Sequence, residues 1–570
     1  MDLARLRYVE RFVHPNYPGL IVGTLAFVLS LTPSLLPRDW LFQGLVSGIN
    51  AAIGYGIGAL LEWSYRKWIR PRLPAAITDL RTGQPDWLPG ALKVTTMAAC
   101  VVIAVFTLVQ SARWQREITA LMGMAPITTS GYLRTGGLSL LVGWIAIAIF
   151  RRVRWLIRLV AAEFIRRTRM PVRLAWWSGV LVVTVLAVLL FNGVLVKSFF
   201  AVANSAFSVR NGHTSPNATQ PMLPERSGSP ESLAKWDTLG SEGRWFVSFV
   251  PTAADIARVT GKPAREPIRV YAGLESAKDP AAQADLAVAE LERTHAFERK
   301  ALVVVTTTGT GWVDSTSVAS VELMYGGDTA VVATQYSYLP SVLSFLSDKE
   351  KATRMGKLVF DKVYEHWSAR PVEARPKLLV YGESLGSQGS EGAFADLADI
   401  RARTDGVLWV GPPNSNRLWS QFIARRDPGT PEVQPIYADG LTVRFALDRA
   451  DLARPPTEWR APRIAYLQHA SDPVIWWSPD LLFSEPDWLK EPRGPDVSQT
   501  MAWYPIVTFW QVAADLPNAQ RVPDGHGHNY GTVVLDAWAA IVEPPDWSAE
   551  LSERIRAYLV ESSALEHKLK

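Results

Sequence analysis

The sequence predicts two architectures in one chain: an α-helical membrane region, and after it an α/β domain built on a mostly parallel sheet. Three observations predict this. Long apolar stretches are confined to residues 1–200, and short β-branched runs alternate with helical patterns from about residue 244 onward. Charge divides at the same place. Residues 1–200 hold 22 Lys and Arg against 8 Asp and Glu, and the remainder holds 37 against 46. The basic sequence pI of about 9.1 therefore belongs to the first part.

The helical region comes first. A bilayer core needs roughly 20 mostly apolar residues per crossing helix. Five stretches qualify: 17–36, 41–62, 91–110, 135–150 and 174–196. Arginines flank these stretches, and that role accounts for them without nucleic acid, for which no recognition motif is present. Positive loops face the cytoplasm. Arg5, Arg7 and Arg11, then Arg66 to Arg81, then Arg151 to Arg173 are the rich segments. With five spans, everything after residue 197 lies outside the cytoplasm. The single cysteine, Cys100, excludes an intrachain disulfide and a cysteine-based zinc site.

Residues 201–235 read as a linker, with a polar Ser, Asn, Pro and Gly-rich stretch at 207–232. Residues 236–570 form the second domain. Its expected strands are 244–250, 268–272, 301–306, 330–336, 377–381, 406–410 and 463–467. Between them, Met355, Leu358, Val359, Val363 and Trp367 recur at helical spacing. Continuous apolar strands separated by helices imply a parallel sheet covered on both faces. Insertions at 414–462 and 473–513 are long enough for a cap, and the second carries Trp476, Trp477, Trp488, Trp503 and Trp510.

The expected chemistry begins where the strand KLLVY runs into Gly382-Glu383-Ser384-Leu385-Gly386. This G-x-S-x-G pattern suits a nucleophilic serine on a sharp strand-to-helix turn, which assigns the sheet to the α/β-hydrolase type, with cap insertions. Such a serine needs a base and an acid, in the chain order Ser, Asp or Glu, His. Asp472 follows the strand RIAYL and is the expected acid, with Asp524 as its rival. The base lies in Asp524-Gly525-His526-Gly527-His528. His528 is the expected base, with His526 as the alternative. The oxyanion needs backbone donors. Leu385 supplies one, and Gly309 or Thr310, on the loop after ALVVVT, supplies the other.

The stretches WDTLGSEGRWFV, VVVTTTGTGWVD, GDTAVVATQYSYLPSVLSFL, GESLGSQGSEGAF and DGHGHNYG resemble a bacterial family of α/β-hydrolase membrane proteins. Its members join an N-terminal hydrophobic domain to a C-terminal hydrolase domain. The resemblance implies a Ser–Asp–His triad, here Ser384, Asp472 and His528 or His526. The functional expectation is a membrane-anchored serine hydrolase acting on a lipid or other acyl ester, without metal or cofactor. The alternative is a non-catalytic membrane protein that uses the same domain to bind lipid or another ligand.

Overall fold

The computed structural model describes residues 16–73, 88–126 and 131–569. Arg5, Arg7, Arg11 and Arg81 lie outside the described residues. The chain forms two compact units. The first runs to Lys197 and also takes in Pro479–Leu489 and Pro495–Asn518; the second comprises Ser198–Ser478, Lys490–Gly494 and the chain from Ala519 onward.

In the first unit, helices α1 (Tyr17–Ser30), α2 (Trp40–Ser64), α3 (Leu88–Leu121), α4 (Gly131–Thr168) and α5 (Val172–Val188) follow in order. Four helical runs among the described residues are long and apolar enough to cross a membrane: Trp40–Arg72, Gly90–Leu121, Gly131–Thr168 and Val172–Gly212. The expectation of five spans fails at the first. Helix α1 has only 14 residues, because the chain leaves the helix after Ser30, ahead of Pro33 and Pro37. Large apolar side chains such as Phe106, Leu140, Trp144 and Leu181 point outward from the other helices, as lipid-facing residues do.

The glycines of α2 allow close helix packing. A Cβ on Gly54 or Gly58 would lie 2.6 Å from Val22 O or 2.3 Å from Pro18 O, so α1 is pressed against this face. A Cβ on Gly48 would strike Val142 of α4 at 2.6 Å. Small residues at four-residue spacing bring helix backbones together in this way.

The segment Pro495–Asn518 enters this unit through the helix Val507–Asp515. Its last residue, Asp515, receives the N–H groups of Leu35 (3.2 Å) and Leu36 (3.4 Å) and the Ser34 hydroxyl. Arg38 Nε lies 3.1 Å from Asp515 Oδ1, and both side chains are fully buried. Burial pushes the Asp515 carboxyl up to about 6 against the pull of Arg38.

The second unit is built on one sheet of seven parallel strands: β1 (Ile268–Ala272), β2 (Ala301–Thr306), β3 (Thr329–Thr334), β4 (Lys377–Glu383), β5 (Gly406–Val410), β6 (Val443–Ala446) and β7 (Arg463–Leu467). Their order is β1-β3-β2-β4-β5-β7-β6. The strands are buried almost throughout because helices cover both faces. Val303, Val305, Leu379, Tyr381, Leu408 and Val410 pack towards α6 (Ser315–Met324) and α9 (Val533–Val542). Across the sheet lie α7 (Lys349–Ser368) and α8 (Leu385–Glu391).

Three local expectations change. Residues 244–250 are expected as a strand, but Gly240–Ser248 is a helix whose Arg244, Trp245, Phe246 and Val247 are all buried. A short run buried on every side has no period to distinguish the two states. The insertion 414–462 contributes the edge strand β6. The expected linker 201–235 is structured. Val196–Gly212 is helical, and residues 225–227 run beside β1, with Ser227 N–H on Arg269 O (3.0 Å) and Arg269 N–H on Glu225 O (3.1 Å).

Removing Asp515 leaves a buried guanidinium without its counter-charge, which costs about 3–5 kcal/mol. Asp515→Ala is therefore expected to lower the thermal unfolding midpoint of the detergent-solubilised chain. The double change Arg38→Met with Asp515→Leu should recover most of that loss. An Asp515→Ala protein that melts with the wild type would show that the pair contributes nothing.

Candidate active site

The sheet aligns the ends of its central strands. Thr306 and Trp409 both pair with Gly382, and Val410 pairs with Glu383 on one side and Leu467 on the other. The loops that follow β2, β4, β5 and β7 therefore open at one edge, the C-terminal edge where α/β sheets carry their sites.

Ser384 follows β4 directly and caps α8 with φ +53° and ψ −129°. A non-glycine residue in this region is strained. The turn is fixed from both sides. Ser384 N–H donates to Val410 O at 2.8 Å, and its carbonyl accepts from the Ser387 hydroxyl at 2.6 Å. A Cβ on Gly386 would lie 2.3 Å from Thr306 O. Leu385 is the first residue of α8, and the amides of a first helical turn have no intrahelical acceptor.

Asp472 ends the β7 loop and is fully buried. Its Oδ1 accepts the Val474 N–H at 2.9 Å. Its Oδ2 accepts His528 Nδ1–H at 2.7 Å and the Tyr530 hydroxyl at 2.8 Å. His528 Nε2 is buried without a hydrogen-bond partner among the described residues. Burial works against the imidazolium, but the Asp472 carboxylate outweighs it, with Glu383 adding to the effect, and holds His528 above its ordinary value.

The histidine bonded to this carboxylate is thus His528. His526 is half-buried, and its carbonyl accepts the Asn529 N–H at 3.1 Å within a turn. Asp524 does not contact His528 in the observed hydrogen bonds; it packs beside Gly531. His469, on the β7 loop, donates from Nδ1 to Gly527 O at 2.9 Å, and the Ser471 hydroxyl accepts Gly527 N–H at 2.8 Å. The loop after β7 therefore holds the loop that carries His528.

Gly309 and Thr310 lie in a turn closed by Gly311 N–H on Thr308 O at 2.8 Å. Thr310 O accepts from Gln335 Nε2 at 2.8 Å, and Gly311 O accepts the Tyr271 hydroxyl at 2.8 Å. Gly309 fits tightly: a Cβ there would lie 2.4 Å from Leu339 O.

Two residues of this site are absent from the sequence reading. Gly411, at the end of β5, has φ +54°, and a Cβ there would lie 2.3 Å from His528 Cε1. Only glycine leaves room for the imidazole beside the strand that binds Ser384 N–H. The signal for it was a glycine directly after the strand GVLWV. Tyr530 shares the Asp472 oxygen; its only sequence signal was its closeness to His528. A cavity of about 190 Å³, lined by Ser248, Arg269, Ser315, Tyr558 and Glu566 among others, contains none of these residues.

Residues 268–555 match the family described as an alpha/beta-hydrolase family, and residues 31–251 match the family described as its N-terminus. No curated protein and no solved structure matches the chain. The first match alone covers half of the chain, over the sheet and the loops that carry Ser384, Asp472 and His528, and the chain belongs to this α/β-hydrolase family.

Proposed function

We propose that the protein is a membrane-anchored serine hydrolase that cleaves or transfers the acyl group of an ester. The observation that carries this reading is the buried imidazole of His528, bonded through Nδ1 to Asp472 at 2.7 Å and bearing an unpartnered Nε2. The strained backbone of Ser384 supports it, because such strain collects at functional positions.

The mechanism follows from the groups. Ser384 Oγ attacks the ester carbonyl carbon while His528 Nε2 takes its proton. The tetrahedral oxyanion accepts the Leu385 N–H and an N–H from Gly309 or Thr310. His528 returns the proton to the leaving alcohol oxygen as the C–O bond breaks. Water or a second alcohol then attacks the acyl-serine, with His528 again as base, and frees Ser384. Asp472 keeps Nδ1 protonated so that Nε2 is free to accept the serine proton.

The apolar helices of the first unit support anchoring in a bilayer, and a lipid or other apolar acyl ester is the substrate class that suits such an enzyme. Loop charge still favours an extracytoplasmic hydrolase domain. Without a span at 17–36, Arg66 to Arg72 and Arg151 to Arg173 remain on one side and residues after 197 on the other. The N-terminus, with Arg5, Arg7 and Arg11, then moves to the outer side, so the orientation rests on the two internal loops.

A reporter active only outside the cytoplasm, fused after residue 570, is expected to give signal. A reporter active only inside would overturn the orientation. Ser384→Ala and His528→Ala should abolish fluorophosphonate labelling and hydrolysis of p-nitrophenyl butyrate, whereas His526→Ala should retain most of both. Asp472→Asn should lose on the order of 10⁴ in turnover by analogy with serine proteases. Wild-type kcat/KM should fall with decreasing pH through a midpoint above the ordinary imidazole value of about 6.5, since His528 must be neutral to act. A wild-type chain that fails to label beside a reactive control esterase would favour a binding role. Finally, Ser384→Gly relieves a positive φ that Ser384→Ala retains. Its unfolding midpoint should exceed that of Ser384→Ala by the equivalent of about 1 kcal/mol, and equal midpoints would refute strain at the turn.

A further inference from the structure

We propose that Tyr530 is a positioning residue that sets the basicity of His528 by sharing the carboxylate oxygen that orients it. The inference rests on the triad reading above. Asp472 Oδ2 accepts two donors, His528 Nδ1–H at 2.7 Å and the Tyr530 hydroxyl at 2.8 Å. Its Oδ1 is occupied by the Val474 N–H at 2.9 Å. The charge that His528 meets is therefore divided with a second, neutral donor.

The phenol is held in that role. Its ring stacks on His469, with centroids 4.1 Å apart and planes 13° apart. It meets His528 edge-on, at 5.8 Å and 84°. Its oxygen accepts the His469 N–H at 3.2 Å, which leaves its one proton to Asp472. Burial and the Asp472 charge push the phenol well above its ordinary range, so the proton stays on it.

The other groups around His528 do not replace this one. Glu383, at the end of β4, acts on His528 through its charge, and its Oε2 accepts the Tyr381 hydroxyl at 2.9 Å. His469 reaches the base loop through Gly527 O and through Tyr530 itself. On the base loop, Asp524 packs beside Gly531 and His526 lies in the adjoining turn. Among the described residues, Tyr530 alone competes with His528 for the oxygen.

The sign of the effect follows. Without the hydroxyl, Oδ2 turns its whole accepting capacity to His528 and stabilises the imidazolium more strongly. More acid must then be removed before the base is free.

The test uses the full chain in detergent micelles. The second-order rate of fluorophosphonate inactivation and kcat/KM for p-nitrophenyl butyrate are followed from pH 5 to 9. Tyr530→Phe should move the midpoint of the acid limb upward by at least about half a pH unit. Incorporation of 3,5-difluorotyrosine at 530, a stronger donor of nearly the same shape, should move it downward. The second variant decides the matter if Tyr530→Phe fails to fold. A merely structural role would lower the rate or the unfolding midpoint and leave the acid limb where it was. Unmoved midpoints, in a protein whose His528→Ala variant is dead, overturn this inference alone. A His528→Ala variant that reacts like the wild type overturns the triad reading and this inference together.

Discussion

The chain reversal at Ser384 constrains everything around it. Only Ser384 separates the end of β4 from the start of α8, and the helix begins in contact with the sheet. A Cβ on Gly382 would lie 2.5 Å from Gly386 O, and one on Gly356 of α7 would lie 2.3 Å from Gly389 O. Backbone thus packs directly on backbone at the helix start and again where α7 crosses α8. A side chain at any of these positions would push α8 away from the strands. The Leu385 amide would move with it, and so would the serine oxygen. The strain at Ser384 is balanced by this packing, since the turn has no room to relax.

Asp472 and His528 belong to the two ends of one long excursion. Asp472 stands at its beginning and His528 near its return, and between them the chain contributes Pro479–Leu489 and Pro495–Asn518 to the helical unit. The return is held at once. Asn518 is the last residue of that contribution, and the next carbonyl, that of Ala519, accepts the His528 N–H at 2.8 Å. Three residues before Asn518 is Asp515, fixed by Arg38 and by the amides of Leu35 and Leu36. The family relationship extends over the N-terminal region as well, to residues 31–251. The tryptophans expected to line a cap are in part core residues of this excursion: Trp476 and Trp488 are almost wholly buried.

What the sequence made legible was local. Strands such as ALVVVT and KLLVY are continuous apolar runs between helices, and the G-x-S-x-G turn carries its own steric requirement. What it hid was tertiary. Strand β6 has four residues and exists because β7 supplies its hydrogen bonds. Residues 225–227 look like a linker by composition, yet Ser227 is fully buried beside β1. Gly411 is an ordinary glycine until an imidazole from 117 residues later occupies the space of its missing side chain. The first expected span has the composition of a membrane helix, but prolines end the helix at 14 residues.

The choice between the two histidines shows the same division. Alternation along an extended segment predicts that His526 and His528 face opposite ways, yet the segment is not extended. Gly525 has φ +86° and Gly527 has φ +52°, so the chain turns on both sides of His526. Gly525 N–H closes one turn on Asn529 O at 2.9 Å, and Asn529 N–H closes another on His526 O at 3.1 Å. His526 is carried to the outer side of these turns, half-buried. The acid loop then fixes the inner side, since Ser471 and His469 bind the amide and carbonyl of Gly527. His528 leaves that clamp pointing at Asp472. By setting the turn, the glycines bring His528 rather than His526 to Asp472, and an alanine at either position would strain the turn that separates the two imidazoles.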